Sequence, residues 1–212
     1  MQEFMSVQKY RTMDNTAIII LAAGNSTRFG SSKQLLRFNG KTLLQHAIDE
    51  ATGADANPVV VVVGANANEV SASIDTTAIE IALNNRWEEG MASGIVAGVR
   101  KANSLNDHVH NMIIAVCDQP FISSALFKQL YQTQKESNKG IVACSYADTI
   151  GTPVLFTQKY FGHLLALQGD EGAKKLLTTD ATDVSTVDFP NGNFDIDTET
   201  DYQELLKDRR ES

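Results

Sequence analysis

Short, β-branched, almost uncharged runs recur along this chain with helix-length segments between them, and that alternation restricts the fold more than any other feature. The runs cover residues 17–23, 59–63, 79–83, 112–117 and 141–145. Between them, apolar residues at helical spacing predict helices over 41–52, 67–74, 91–102 and 123–136. Strand–helix alternation specifies an α/β fold, a mostly parallel sheet covered by helices on both faces in three layers, of the Rossmann-like type. The first, second and fourth runs are nearly continuous in apolar residues, which suits strands buried on both sides and puts them at the centre of the sheet. After Ser145 the pattern loosens. Gly151-Thr152-Pro153 reads as a break, 153–156 as a short strand, 158–168 and 172–178 as helices, 184–189 as a last strand and 198–208 as a closing helix.

The chain has 212 residues, 42% of them hydrophobic, enough to bury one substantial core. Residues 1–15 are polar, carry Lys9 and Arg11 and read as a loose leader before a single domain over 16–212. A net charge of -8 opposes general attraction to nucleic acid or to an anionic membrane surface, so an anionic ligand needs local cations. Apolar runs fall far short of the ~20 residues that span a bilayer. Cys117 and Cys144 sit in apolar runs without disulfide or metal spacing, which suits a reducing cytoplasm. The four histidines, His46, His108, His110 and His163, show no paired spacing for zinc.

In open α/β sheets ligands bind beyond the carboxyl ends of the strands, which directs attention to the turn after the first run. There Leu21-Ala22-Ala23-Gly24 leads through Arg28 and Gly30 to Lys33. Glycine lets successive backbone N–H groups approach phosphate oxygens, and Arg28 and Lys33 supply the positive charge. The spacing is neither that of a Walker loop nor G-x-G-x-x-G; a tight strand-to-helix turn with solvated cations is the alternative.

The string L-A-A-G-x-S-x-R-x-G-x-x-K resembles the opening signature of the MobA-like nucleotidyltransferases, and within them the molybdenum cofactor cytidylyltransferases. Further blocks follow in family order: Val63 to Asn66, Asn84 to Ser93, Cys117-Asp118-Gln119-Pro120, Gly151-Thr152-Pro153, Gly169 to Lys174 and Asp195-Ile196-Asp197-Thr198. The resemblance implies a nucleotide-diphospho-sugar transferase type of fold, with nucleotide binding over about 16–120 and the acceptor over about 121–212. It also implies Mg²⁺ and the joining of a nucleotide to the phosphate of molybdopterin. By that resemblance Leu21, Ala22, Ala23, Gly24, Arg28 and Lys33 bind the nucleotide, with Lys33 and Arg28 stabilising charge during transfer. The Ala22-Ala23 pair implies CTP, since guanylyl members carry glycine at the second position. Transient contact with a molybdoenzyme or its chaperone would follow.

Asp118 ends an apolar run where a ligand would lie, and Mg²⁺ is held by few carboxylates together with water and phosphate oxygens. The other reading is a cap for the helix starting near Ser123. Asp195 and Asp197 fall on one side of an extended backbone, so either could face a metal, or Asp197 or Thr198 could cap the last helix. The resemblance makes Asp118 and Asp197 the metal ligands. It places Gly64 and Asn66 at the base pocket, Ser93 on the nucleotide, and Gly151, Pro153, Asp170 and Lys174 on the acceptor side. Turn geometry and helix packing account for Asn66 and Ser93 as well. Lys174 stands where the family has arginine, so a point-charge contact replaces a bidentate one. The competing functions are a GTP-using or sugar- or alcohol-phosphate transferase of the same fold, and a non-catalytic nucleotide- or cofactor-binding protein.

Overall fold

A computed structural model describes residues 13–24, 32–170 and 172–208. Its strands are β1 (Thr16–Ala22), β2 (Arg37–Phe38), β3 (Lys41–Thr42), β4 (Val59–Val63), β5 (Glu80–Leu83), β6 (Asn111–Val116), β7 (Ile141–Tyr146), β8 (Thr149–Thr157) and β9 (Val184–Asp188). Its α-helices are α1 (Leu43–Gly53), α2 (Ala67–Ala72), α3 (Met91–Leu105), α4 (Ser124–Ser137), α5 (Phe161–Leu165), α6 (Lys174–Thr179) and α7 (Glu199–Asp208). Seven strands form one sheet in the order β5-β4-β1-β6-β8-β7-β9, and β2 pairs with β3 in a small hairpin. β1 pairs in parallel with both β4 and β6, and β4 in parallel with β5. The fold is therefore α/β with a mostly parallel central sheet, and the three most apolar strands are adjacent at its centre.

Side chains alternate along each strand, so the central strands feed two separate cores. Ile18, Ile20, Val61 and Ile113 pack with α1 and α4, for example with Leu44, Ile48 and Phe127. Ile19, Val60, Val62 and Ile114 pack with α3, α5 and α6, among them Ile95, Val99, Leu164 and Leu177. Gly98 lets α3 sit close to the sheet: a Cβ there would lie 2.4 Å from Ile19 Cγ2. A third, smaller cluster joins Phe38 and Leu43 to Ile196 and Leu205, which docks the C-terminal segment beside β2.

The structure departs from the sequence reading in four places. Gly151-Thr152-Pro153 does not break the chain but lies within β8, antiparallel to both β6 and β7. The β7–β8 register shifts there, Ala143 opposing Val154 and Cys144 opposing Gly151, so Pro153, which has no N–H to give, falls in a bulge. The turn before it places Ala147 and Asp148 at φ 45° and 61°, a two-residue hairpin without the glycine or asparagine that would announce it. Lys41–Thr42 is strand rather than helix, and Thr42 caps α1 by accepting from Gln45 N at 3.0 Å. Helix 158–168 is a 3₁₀ turn followed by the short α5. The fold also begins before residue 16, since Met13 is 2% exposed within the first core and bridges to Ala56. Among the described residues no helix is long and apolar enough to cross a membrane.

Candidate active site

The carboxyl ends of β1, β4, β5 and β6 open on one edge of the sheet, where a cavity of about 630 Å³ lies. The end of β1 forms one wall with Leu21, Ala22, Ala23 and Gly24. Residues 25–31, including Arg28, lie outside the described residues. The chain resumes at Ser32 and enters a single 3₁₀ turn over Lys33–Leu35. Gln34, 2% exposed, donates through Nε2 to Ala22 O at 3.0 Å and Gly24 O at 2.9 Å, stapling this turn to the end of β1. Asn66, in the left-handed region at φ 60°, donates to Ser32 Oγ at 3.0 Å from the loop after β4. These two contacts fix the backbone on either side of Lys33.

Lys33 is the hub. Its Nζ donates to Asp118 Oδ2 at 2.5 Å, just past the end of β6, and to Asp197 Oδ1 at 3.0 Å, before α7. Ile196 N donates to Asp118 O at 3.0 Å, so the two acidic segments meet through their backbones as well. Neither Asp118 nor Asp197 serves as a cap: Ser123 takes that role for α4, and Thr198, one of the two candidates the sequence offers, takes it for α7. Ser123 caps α4, accepting from Leu126 N at 3.2 Å. Asp201 Oδ2 accepts from Asp197 N and Thr198 N, while Thr198 Oγ1 accepts from Asp201 N. Both Asp118 and Asp197 keep their carboxylates for Lys33.

The charges do not balance. Burial pulls the Lys33 ammonium down, but Asp118 and then Asp197 outweigh it, so its pKa stands above the ordinary lysine value. Asp195 is pushed up to about 6 by desolvation first, and then by the negative charges of Asp118 and Asp197. Asp118 Oδ1 is buried with no hydrogen-bond partner among the described residues. Three carboxylates around one ammonium, with one oxygen unclaimed, favour an added cation. Among the described residues no group of three or more His, Cys, Asp or Glu side chains has ligating geometry by itself, so water and ligand oxygens would have to complete a metal's coordination. Cys117 is pushed up to about 12, chiefly by burial and then by Asp118, which leaves it a thiol and no nucleophile at neutral pH.

Opposite this cluster the cavity is walled by Asn84, Trp87, Gly90, Met91 and Asp170. Asp170 arrives because Gly169 O accepts from Ala92 N at 3.1 Å at the start of α3, and Gly90, at φ 99°, leaves room for it. A side chain at Gly90 would meet Asp170 Oδ1 at 2.3 Å. The structure thus gathers Leu21, Ala22, Ala23, Gly24, Lys33, Asp118 and Asp170 around one cavity, with Asp197 against Lys33.

The remaining candidates lie elsewhere. Ser93 Oγ donates to Gly90 O and accepts from Asn84 Nδ2, both at 2.8 Å, and lines an adjoining groove of about 780 Å³ between β5, α3 and residues 165–169, which shares Asn84 with the first cavity. That groove contains neither Lys33 nor any of the three clustered carboxylates. Gly64 packs against Ala23 and Trp87, where a Cβ would fall 2.7 Å from Trp87 Cβ, and Asn66 acts on Ser32. Gly151 and Pro153 are buried in β8. Lys174 donates to Thr149 Oγ1 at 3.2 Å in a third groove, by the β7–β8 turn. Gln34 and Trp87 were not singled out from the sequence. The available signals are Gln34's adjacency to Lys33 and the place of Trp87, the chain's one tryptophan, within the Asn84 to Ser93 block.

The profile of the MobA-like NTP transferase domain matches residues 18–184, most of the chain. The chain belongs to the MobA-like NTP transferase family. The chain is 31% identical over 132 residues to nicotine blue oxidoreductase of Paenarthrobacter nicotinovorans, covering 62% of this chain and 63% of that protein. It is 27% identical over 170 residues to the purine catabolism protein PucB of Bacillus subtilis (strain 168), covering 75% and 78%. In three dimensions it is similar to Rv0371c of Mycobacterium tuberculosis H37Rv, with a TM-score of 0.79, 27% identity and coverage of 91% and 97%. The structure of Rv0371c in complex with manganese matches with a TM-score of 0.74, 27% identity and coverage of 91% and 98%. The MobA-like profile stops at residue 184, so the segment carrying Asp195 and Asp197 lies beyond it.

Proposed function

We propose that this protein is a Mg²⁺-dependent nucleotidyltransferase that moves CMP from CTP to the terminal phosphate of molybdopterin and releases pyrophosphate. The observation that carries the reading is the convergence of Lys33, Asp118 and Asp197 beside the cavity at the end of β1. The cavity offers the Trp87 side chain to a base and the backbone at Ala23 and Gly24 to the triphosphate. The Ala22-Ala23 pair, through its resemblance to the cytidylyl members of the family, supports CTP as the nucleotide.

Asp118 and Asp197 would hold the Mg²⁺, and the unpartnered Asp118 Oδ1 suits that role. Bound there, the ion would neutralise triphosphate charge. An oxygen of the acceptor phosphate attacks the α-phosphorus of CTP, forming one P–O bond as the bond to the β-phosphate breaks and pyrophosphate leaves. Lys33, held protonated by its carboxylates, stabilises the charge that develops. The thiol of Cys117 takes no part, and no covalent enzyme intermediate is formed. A manganese complex of the similar Rv0371c supports divalent-cation binding.

The test is a panel of nucleoside triphosphates with Mg²⁺ and molybdopterin, read as pyrophosphate release. Release with CTP and molybdopterin together supports the reading. Release with GTP alone among the nucleotides overturns the base assignment, release with sugar or alcohol phosphates but not molybdopterin overturns the acceptor, and tight nucleotide binding without turnover makes the protein a non-catalytic binder. Cytoplasmic placement and a molybdoenzyme or its chaperone as recipient of the product belong to the same proposal.

A further inference from the structure

Asp118 and Asp197 come from distant parts of the chain, and something must hold the Asp197 segment at the right depth. One tie is the Ile196 N to Asp118 O hydrogen bond. The other is Gln119, 1% exposed, whose Nε2 donates to Gly192 O at 2.8 Å. Gln119 Oε1 is buried without a hydrogen-bond partner among the described residues. The Tyr146 hydroxyl, at the end of β7, faces Thr152 and this same amide. Tyr146 is wedged in place: a Cβ at Gly151 would stand 2.3 Å from its hydroxyl oxygen, and a Cβ at Gly192 2.3 Å from its Cδ1. Its ring meets Phe189 edge-on at 6.2 Å. Both glycines are therefore required by the tyrosine.

We infer that Tyr146 and Gln119 are positioning residues, a wedge and a clamp that set where the 192–197 segment places Asp197 against Lys33 and Asp118, and so set the affinity for a divalent cation. The inference rests on the proposed metal role of Asp118 and Asp197. Neither residue touches the reacting atoms. The wedge fills the space between Gly151 and Gly192, and the clamp holds the Gly192 carbonyl, so the loop cannot slide relative to Asp118. Removing Gln119 takes the donor from the Gly192 carbonyl, and removing the Tyr146 hydroxyl trims the wedge against Gly151, so either change loosens the loop.

The experiment uses the full chain and Mn²⁺ as the probe, with binding followed by electron paramagnetic resonance and amide exchange of Ile196 followed without metal. Gln119→Leu should weaken Mn²⁺ binding about tenfold and Tyr146→Phe by a smaller factor, as expected of groups that orient ligands from behind. Both should speed exchange at Ile196 while protection in β1 and β4 stays unchanged. Gly151→Ala alone should also weaken binding, because its methyl meets the tyrosine hydroxyl. In the Tyr146→Phe background it should cost less, since the next atom, Cζ, stands 3.2 Å away and needs only a small shift of the ring. Wild-type Mn²⁺ affinity and Ile196 protection in Gln119→Leu and Tyr146→Phe overturn the inference, as does a Gly151→Ala defect of the same size in both backgrounds. Wild-type protein that binds no Mn²⁺, with faster Ile196 exchange in Gln119→Leu, supports the clamp and sinks the metal reading instead.

Discussion

Two lysine–carboxylate clusters in this molecule use the same chemical groups and do opposite things with them. At the far end of the sheet, Asp183 has donors on both oxygens: Gly140 N at 2.9 Å on Oδ1, and Lys159 Nζ at 2.8 Å and Tyr160 Oη at 2.9 Å on Oδ2. Lys159 first, then the Gly140 amide, pull its carboxyl down to about 2. At the end of β6, one ammonium is divided between Asp118 and Asp197, a third carboxylate is pushed up to about 6, and a buried oxygen is left over. A cluster built for stability satisfies its own charges. A cluster that leaves charge unsatisfied at a cavity is arranged for something that arrives from solution.

The comparison breaks most sharply at Asp118. Replacing it with Ala should cut pyrophosphate release by about 10²–10³-fold, the scale of losing one preorganised electrostatic group, while the melting temperature stays close to wild type. Unfolding of the variant at ordinary temperature would put Asp118 in the same structural class as Asp183. Lys33→Met makes a less obvious prediction. Its ammonium occupies the carboxylates that would hold the metal, so Mn²⁺ binding without nucleotide should tighten, even as turnover falls about 10²-fold. A titration showing weaker Mn²⁺ binding in Lys33→Met would mean that the ammonium helps assemble the metal site rather than competing for it.

How much of this is visible before folding depends on whether the cause is local. The central strands announce themselves, because five consecutive valines in β4 need no partner to be recognised as buried. Asp118 is legible for a related reason, lying just beyond the end of β6 where open α/β sheets bind ligands, and Lys33 because it closes the glycine-containing stretch that follows β1. Asp197 was legible as a candidate through its spacing and its family block, but its separation from Asp195 required the fold. β8 was misread because its tolerance of Pro153 depends on a register shift against Ala143 and Cys144, a property of the pair of strands. Lys174 belongs to a matching block, yet the fold carries it to another groove, while Ser93 lies in a groove that adjoins the cavity at Asn84. Gln34, Gln119 and Tyr146 act through contacts distant in sequence, and a buried glutamine has no local signature. Asp183 is equally silent, since Gly140 comes to it only when Ile141 pairs with Val184.

Asp183→Ala is the matching test of the structural cluster. It removes the acceptor for the Gly140 amide and the Tyr160 hydroxyl and should cost about 1–3 kcal/mol of stability in denaturant unfolding. Turnover per folded molecule should not change. A loss of turnover without a loss of stability would erase the distinction between the two clusters.

The smallest expected effect is the pH dependence of that stability. The Asp183 carboxyl has a folded pKa of about 2 against an ordinary value of 3.8, so the folded state favours the charged form. Its contribution is fully present above the unfolded pKa and disappears as pH falls from about 4 toward 2, where the carboxylate takes up its proton in both states. Asp183→Asn keeps the shape but cannot titrate. Wild type and Asp183→Asn should therefore differ most near neutral pH, and their unfolding free energies should converge through this acid window. The curves come from denaturant titrations at several pH values, with the same salt throughout. Parallel curves would mean that Asp183 titrates normally in the fold, and the contrast drawn between a satisfied cluster and an unsatisfied one would then lose its electrostatic basis.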